Sequence, residues 1–141
     1  MGIEVNYLAV LVASVASMVV GFIWYHPAVL GKPWMALSGR TQADLEKEKK
    51  EMPKVYGISY VLSLITAYVL FHVMTLSLNF FNYAPLMTGL TSAFWMWLGF
   101  MMPVQATGTL FGDKKWKLFG INTGYQLASL LVMGLVLGYL G

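Results

Sequence analysis

Long apolar segments separated by short polar ones dominate the hydropathy pattern of this chain. A helix needs roughly 20 apolar residues to cross the ~30 Å hydrocarbon layer of a bilayer. Four segments reach that length without Asp, Glu, Lys or Arg: about 5–25, 55–78, 86–111 and 118–140. Uninterrupted apolar runs of this length exclude the alternating strands of a membrane barrel. The pattern therefore predicts an all-α, polytopic membrane protein with four transmembrane helices in a single domain, residues 1–141.

The overall composition narrows the class further. Hydrophobic residues make up 58% of the 141 residues and charged residues only 11%, whereas soluble domains average ~45–50% and ~25%. So few charges could hardly cover the wet surface of a short soluble chain, which excludes a soluble globular domain. The chain contains no cysteine, which excludes disulfides, thiolate metal sites and a cysteine nucleophile. We expect no metal, no cofactor and no nucleic-acid partner.

The basic residues are distributed asymmetrically. All nine lie in two loops, residues 26–54 and 112–117, and the two chain ends and the 79–85 loop have none. Because Lys and Arg accumulate in cytoplasmic loops, both basic loops are predicted to be cytoplasmic and both termini to lie outside. Aromatic residues at the two levels fit the belts that contact the bilayer interfaces. The predicted interface or lipid-facing anchors are Trp24, Tyr25, His26, Trp34 and Trp116.

The first cytoplasmic loop is predicted to contain two short elements. Residues 27–39 are apolar, are interrupted by proline and glycine and are too short to span, so they predict an interfacial segment. Thr41 to Asp44 is typical of a capping box and predicts a short polar helix that ends at about residue 52. This loop is either a solvated linker or a docking surface for lipid headgroups or a partner.

Small residues recur at four-residue intervals and predict where the helices pack. Lipid provides no hydrophobic drive for helix association, so close backbone approach through small side chains contributes much of it. The predicted packing residues are Ala13, Ser17, Gly21, Gly120, Gly124, Gly134 and Gly138. They indicate a tight four-helix bundle, in which Gly134 and Gly138 are candidates for a contact with another subunit. Packing within one chain is the alternative, and a homo-oligomer is favoured because four helices enclose little interior.

Polar side chains within the predicted spans concentrate toward the cytoplasmic ends. Such groups are costly in a bilayer and usually face protein or water. At ~1.5 Å per residue, Gln105 and Gln126 both fall about 10 Å from the predicted cytoplasmic edge. Pro103 removes a backbone donor and strains the preceding turn around Gly99. We predict either interhelical hydrogen bonding or a polar pocket that opens inward. The candidate pocket residues are Gln105, Thr109, Asn122, Tyr125 and Gln126.

The other candidate groups are predicted to be structural. His26 is an exposed interface residue or a phosphate or pH-sensing group, and His72 is expected to pack through a hydrogen bond. The ten methionines are typical of flexible core filler rather than a copper(I) site. The predicted spans contain no acid, which argues against ion-coupled transport, and no base, which argues against a voltage sensor. Motifs for hydrolysis or nucleotide binding are absent from the sequence, so we do not expect an enzyme.

Several motifs along the chain resemble those of a known family. They are Asn6-Tyr-Leu-Ala-Val10, Trp24-Tyr25 followed by Pro27, Gly31-Lys-Pro-Trp34, Leu37-Ser-Gly39, Ala93-Phe-Trp-Met-Trp-Leu-Gly99, Trp116-Lys-Leu-Phe and Asn122-Thr-Gly-Tyr125. In order and spacing they resemble the bacterial membrane-protein family called domain of unknown function seventeen-sixty-one. The resemblance covers nearly the whole chain and implies a compact four-span protein of the bacterial inner membrane. It implies no activity and no catalytic residues.

Two functions remain open at this point. The favoured one is an oligomeric channel or transporter-like protein for a small neutral or weakly polar solute. The alternative is a non-transporting structural or accessory protein that binds lipid or a partner through residues 27–54. The sequence does not identify the ligand in either case.

Overall fold

The structure, a computed structural model, describes residues 4–141, apart from the side chains of residues 42 and 45, and every element in this range is helical. The elements are α1 (Tyr7–Trp24), a first π turn (Pro27–Gly31), α2 (Lys32–Ser38), α3 (Gln42–Lys49), α4 (Met52–Phe81), α5 (Pro85–Met96), a second π turn (Trp97–Met101), α6 (Met102–Phe111) and α7 (Trp116–Leu140). The predicted all-α class is confirmed. Helices α1, α4 and α7 are long and apolar enough to cross a membrane, which indicates a membrane protein.

The predicted third span is two helices joined by the second π turn. Proline cannot donate a backbone hydrogen bond, and its ring clashes with the carbonyl four residues earlier. For Pro103 that residue is Gly99, which lies within the π turn. A π turn relieves such a conflict by widening the helix locally. The strain predicted around Gly99 therefore takes the form of a junction between α5 and α6.

The first loop folds into the two predicted short elements. The interfacial segment forms the first π turn and α2, which ends at Ser38 and is capped by Gly39 in the left-handed conformation (φ 71°). The capping box is confirmed: the Thr41 hydroxyl accepts from the backbone N–H of Asp44 (3.2 Å), and the Asp44 carboxylate accepts from that of Thr41 (3.0 Å). These bonds hold the pKa of the Asp44 carboxyl below its usual value. Helix α3 ends at Lys49, about three residues earlier than predicted.

Helix α7 packs along α1 on one side and along α5 on the other, and α4 packs against both α1 and α5. The contact between α5 and α7 is made by backbone. A Cβ on Gly134 would lie 2.7 Å from the carbonyl carbon of Gly89, and a Cβ on Gly138 would lie 2.6 Å from the carbonyl oxygen of Pro85. Both glycines therefore pack within the chain. The expectation that they contact another subunit is wrong, because α5 already occupies this face of α7.

The other predicted packing residues lie mainly between α1 and its neighbours. Ala13 and Ser17 are buried. Gly21 faces the Tyr125 ring, and Gly124 faces the ring of Trp24. Gly120 is the exception, because a Cβ there would meet nothing within 4 Å among the described atoms. Gly124, four residues along the same helix, packs against Trp24, whereas Gly120 does not pack against any described residue.

The buried residues are confined largely to one half of the molecule. They cluster in residues 9–17 of α1, 67–74 of α4, 88–93 of α5 and 129–137 of α7, which we call the packed half. Residues 52–66 of α4 and 97–111 contain no buried residue. These two stretches and the facing ends of α1 and α7 form the open half.

Candidate functional site

Two aromatic residues at the end of α1 bond to α7 in the open half. The Trp24 indole donates from Nε1 to the carbonyl oxygen of Ile121 (2.9 Å). The Tyr25 hydroxyl donates to Oδ1 of Asn122 (2.8 Å). Both side chains are only partly exposed, because their polar tips find partners inside the protein. Trp24 and Tyr25, predicted as interface or lipid-facing anchors, thus also fix α1 to the start of α7.

A third aromatic residue fixes the second π turn to the same part of α7. Trp97, the first residue of that turn, donates from Nε1 to the carbonyl oxygen of Thr123 (2.9 Å). Thr123 is buried, and its own hydroxyl has no hydrogen-bond partner in the described part of the chain. Helix α7 is thus held from two sides where the open half begins.

The remaining predicted anchors lie around the first loop and the start of α7. Exposed His26 caps the first π turn, where its Nδ1 accepts from the backbone N–H of Ala28 (3.1 Å). The ring of Trp34 packs edge-on against Tyr25, with centroids 5.7 Å apart. Trp116 is about half exposed (49%), so among these residues it best fits the predicted role of an interface residue.

A polar cavity of about 350 Å³ lies between α6 and α7, and we call it the α6–α7 cavity. Its wall includes three of the predicted pocket residues, Gln105, Thr109 and Asn122. Thr109 donates to the backbone carbonyl of Gln105 (3.0 Å). The Gln105 Oε1 atom is shielded and has no hydrogen-bond partner among the described residues. Gln105, whose carbonyl oxygen lacks a partner, thus shares the cavity wall with the Asn122 amide, which is already bonded to Tyr25.

In the part of the chain that the structure describes, charged groups border the α6–α7 cavity only at the turn between the two helices. Asp113 and Lys115 line it there, and Asp113 Oδ1 accepts from the backbone N–H of Lys115 (3.0 Å). The Lys115 ammonium donates to the carbonyl oxygen of Leu37 in α2 (2.8 Å). The Lys115 side chain thus ties the first loop to the rim of the cavity.

A second polar cavity of about 240 Å³ lies between α1, α4 and α7, and we call it the serine cavity. Its polar lining comes from Ser17, Ser59, Ser63, Thr66, Gln126 and Ser129, together with Tyr125. Ser17 and Ser129 are buried and form a hydrogen bond across α1 and α7 (2.6 Å). Tyr125 and Gln126 thus line this cavity, and the five predicted pocket residues do not share one site.

The register of α5 and α6 against α7 explains this separation. The helices are antiparallel, and Gly89 faces Gly134. Beyond the π turn, Gln105 of α6 lines a cavity with Leu118 and Asn122, which lie four to eight residues, or about 6–12 Å, along α7 from Gln126. From the sequence, both glutamines were predicted to lie at the same distance from the cytoplasmic edge. That prediction did not include this offset between the two helices.

Most of the serine cavity was not predicted as a site. Only Gln126 and Tyr125 were assigned to the pocket, and Ser17 was predicted solely as a packing residue. Ser59, Ser63 and Thr66 occur at positions i, i+4 and i+7 of α4, a spacing that places all three on one helix face. A hydroxyl-bearing face on an apolar helix is the signal that identifies such a cavity wall.

The comparisons with known proteins concern the family. A family model described as "Protein of unknown function (DUF1761)" matches residues 8–138, which is nearly the whole chain. Neither a curated protein nor a solved structure matches this chain. The matched region contains the residues that line both polar cavities. It also contains the three aromatic residues that bond to α7, Trp24, Tyr25 and Trp97. The resemblance found in the sequence is confirmed, and the chain belongs to the DUF1761 family.

Proposed function

We propose that this chain is a four-pass protein of the bacterial inner membrane that admits a small neutral or weakly polar solute from the cytoplasm into the α6–α7 cavity. The observation that carries the proposal is the unsatisfied Gln105 carbonyl oxygen at a cavity of about 350 Å³. A shielded acceptor without a partner is costly. Rotation of the Gln105 side chain, which lines the cavity, would bring this oxygen to a solute that supplies an O–H or N–H group, and the hydrogen bond removes that cost.

The length of the α5–α6 unit supports four passes. Residues 85–111 are helical throughout, with one π turn, and at ~1.5 Å per residue they extend about 40 Å, more than the ~30 Å hydrocarbon layer. The two basic loops, 26–54 and 112–117, adjoin the open half, since they connect the helix ends that border it. The positive-inside rule then favours an open half that faces the cytoplasm and termini that lie outside.

The size and chemistry of the cavity favour a neutral solute. At ~30 Å³ per water molecule, its volume corresponds to on the order of ten waters, within the usual range of ligand pockets. Its wall between the helices presents the Gln105 and Asn122 amides, and charge is found only at the turn. An ion would find no compensating charge deeper in the cavity. We infer that the protein binds or passes its solute without catalysing a reaction on it.

The test is solute flux through the purified protein reconstituted in vesicles. Swelling rates after mixing with glycerol or urea measure entry of neutral solutes, and the same vesicles without protein give the background. We expect Gln105→Leu to lower the protein-dependent rate strongly, because the substitution removes the acceptor. The matched control is Thr107→Val on the exposed side of the same helix, where the hydroxyl bonds only to the Pro103 carbonyl. Equal rates for wild type and Gln105→Leu would contradict the proposal.

Homo-oligomerisation is part of this proposal. Four helices enclose little interior, and in the open half neither α4 nor α6 contains a buried residue. A second copy would shield these helices without blocking the basic loops. Native mass spectrometry from lipid nanodiscs tests this, because a purely monomeric protein with full flux would contradict it.

The alternative function is favoured by the order in the first loop. The Lys115 bond to Leu37 holds α2 in place, and the Arg40 guanidinium lies over the ring of Trp34, 5.2 Å from its centroid. A folded loop with exposed basic residues suits binding to anionic lipid headgroups. If wild-type vesicles show no protein-dependent flux and a Lys47→Gln, Lys49→Gln, Lys50→Gln variant loses bound anionic lipid, the accessory function is the better description.

A further inference from the structure

The hydroxyl groups of the serine cavity differ in how well they are satisfied. The Ser63 hydroxyl donates to the Ser14 carbonyl at 3.4 Å, a long bond, and Thr66 donates within its own helix to Leu62 (3.1 Å). The Ser17 and Ser129 hydroxyls bond to each other. One of their two hydrogens therefore has no partner within that pair. The walls therefore hold both donors and acceptors that remain available to a guest.

Two further groups on the cavity wall increase this capacity. Within residues 4–141, no protein group forms a hydrogen bond with the side-chain amide of Gln126 or with the hydroxyl of Ser59. An amide offers two N–H donors and one carbonyl acceptor. Polar groups at this depth of an apolar helix bundle require water, a partner or a guest. Among residues 4–141 no charged side chain lines the cavity, which suits a neutral guest.

An access route leads to the serine cavity from the open half. A neighbouring cavity of about 310 Å³ between α1 and α4 shares Ser59 and Tyr125 with it and extends to Tyr25 and Tyr56 near the helix ends. Toward the packed half the serine cavity ends at Leu130 and Met133, each only 2% exposed. The serine cavity is thus approached from one end and closed at the other.

We propose that the serine cavity is a second binding site, specific for a small neutral polyol with hydroxyl groups on adjacent carbons. Its volume of about 240 Å³ corresponds to on the order of eight waters at ~30 Å³ each, which suits a three- or four-carbon polyol. Paired hydroxyls donate and accept in turn, which matches a wall of alternating serine hydroxyls and an amide. The direction of entry rests on the proposed function, whereas binding at this site does not require the α6–α7 cavity.

The test uses the absence of cysteine from the chain. Ser59→Cys places a thiol in the cavity wall with little change in shape, and Ile58→Cys places one on the adjacent residue, whose side chain is exposed (52%). Each variant in nanodiscs is reacted with a small neutral methanethiosulfonate, with and without erythritol. We expect erythritol at twice its Kd to slow labelling of Ser59→Cys about threefold and to leave Ile58→Cys unchanged. Adding Gln126→Leu should abolish the protection.

Three results would overturn the proposal: an unreactive thiol in Ser59→Cys, equal slowing of both thiols, or protection that survives Gln126→Leu. The two proposals fail separately. Flux that is insensitive to Gln105→Leu, with protection retained at Ser59→Cys, contradicts only the proposed function. Gln105-dependent flux without protection at Ser59→Cys contradicts only the second site.

Discussion

Replacing Gly134 by alanine should separate α5 from α7. The added Cβ would lie 2.7 Å from the carbonyl carbon of Gly89, whereas ordinary contact begins at 3.4 Å. The Gly89 carbonyl oxygen lies closer still, so the helices must move apart by more than about 0.7 Å, and the obstacle is backbone, which cannot rotate away. That movement also lengthens the 2.9 Å bond from Trp97 to Thr123. Overpacking lowers the free energy of unfolding by about 1–3 kcal/mol, and a weakened hydrogen bond lowers it by about 1 kcal/mol. The higher helix propensity of alanine offsets up to ~1 kcal/mol of this loss.

We therefore expect Gly134→Ala to lower the free energy of unfolding by about 1–3 kcal/mol, measured by titration from mild detergent into sodium dodecyl sulfate with tryptophan fluorescence. The control is Gly120→Ala on the same helix, where the new Cβ meets nothing within 4 Å. At this position only the gain in helix propensity remains, so the free energy of unfolding should be unchanged or higher by up to ~1 kcal/mol. If the two variants unfold alike, the backbone contact between α5 and α7 does not hold the packed half together.

Two further predictions concern hydroxyls in the packed half. Thr88 is 2% exposed and its hydroxyl has no partner among the described residues, so Thr88→Val should raise the free energy of unfolding by about 1 kcal/mol in the same titration. Thr75→Val should not raise the free energy of unfolding, since that hydroxyl bonds to a helix carbonyl at 2.9 Å. Equal effects of the two substitutions would show that the Thr88 hydroxyl is not an unsatisfied group. For the 2.6 Å bond between Ser17 and Ser129, a double-mutant cycle with alanine should give a coupling energy of about 0.6 kcal/mol and at most ~1.7 kcal/mol. Strictly additive losses would show that the two hydroxyls do not interact.

Local features of the chain were predictable from the sequence. The apolar runs located α1, α4 and α7 to within about three residues, because helix length and hydropathy are properties of a contiguous segment. Thr41 and Asp44 identified the start of α3, since a capping box needs only residues three apart. Pro103 indicated a disturbed turn at Gly99. The sequence did not indicate that the disturbance is a π turn.

The candidate site was only partly predictable. Gln105, Thr109 and Asn122 were identified as polar groups in apolar segments, and they do line one cavity. Gln126 was assigned to the same cavity, and it lines the serine cavity instead. The difference arises from the offset between antiparallel helices, which no single segment contains.

The sequence by itself determined the helical segments, their apolar character and the placement of charge in two loops, because each depends on neighbours along the chain. The tertiary structure alone decided which small residues pack and which polar residues meet. Gly134 packs on Gly89 while Gly120 faces no other described atom within 4 Å, although both belong to the same small-residue pattern of α7. Trp24 turns toward α7 because a backbone carbonyl there accepts its N–H. Such outcomes depend on the partner helix and its register, and these exist only once the helices have assembled.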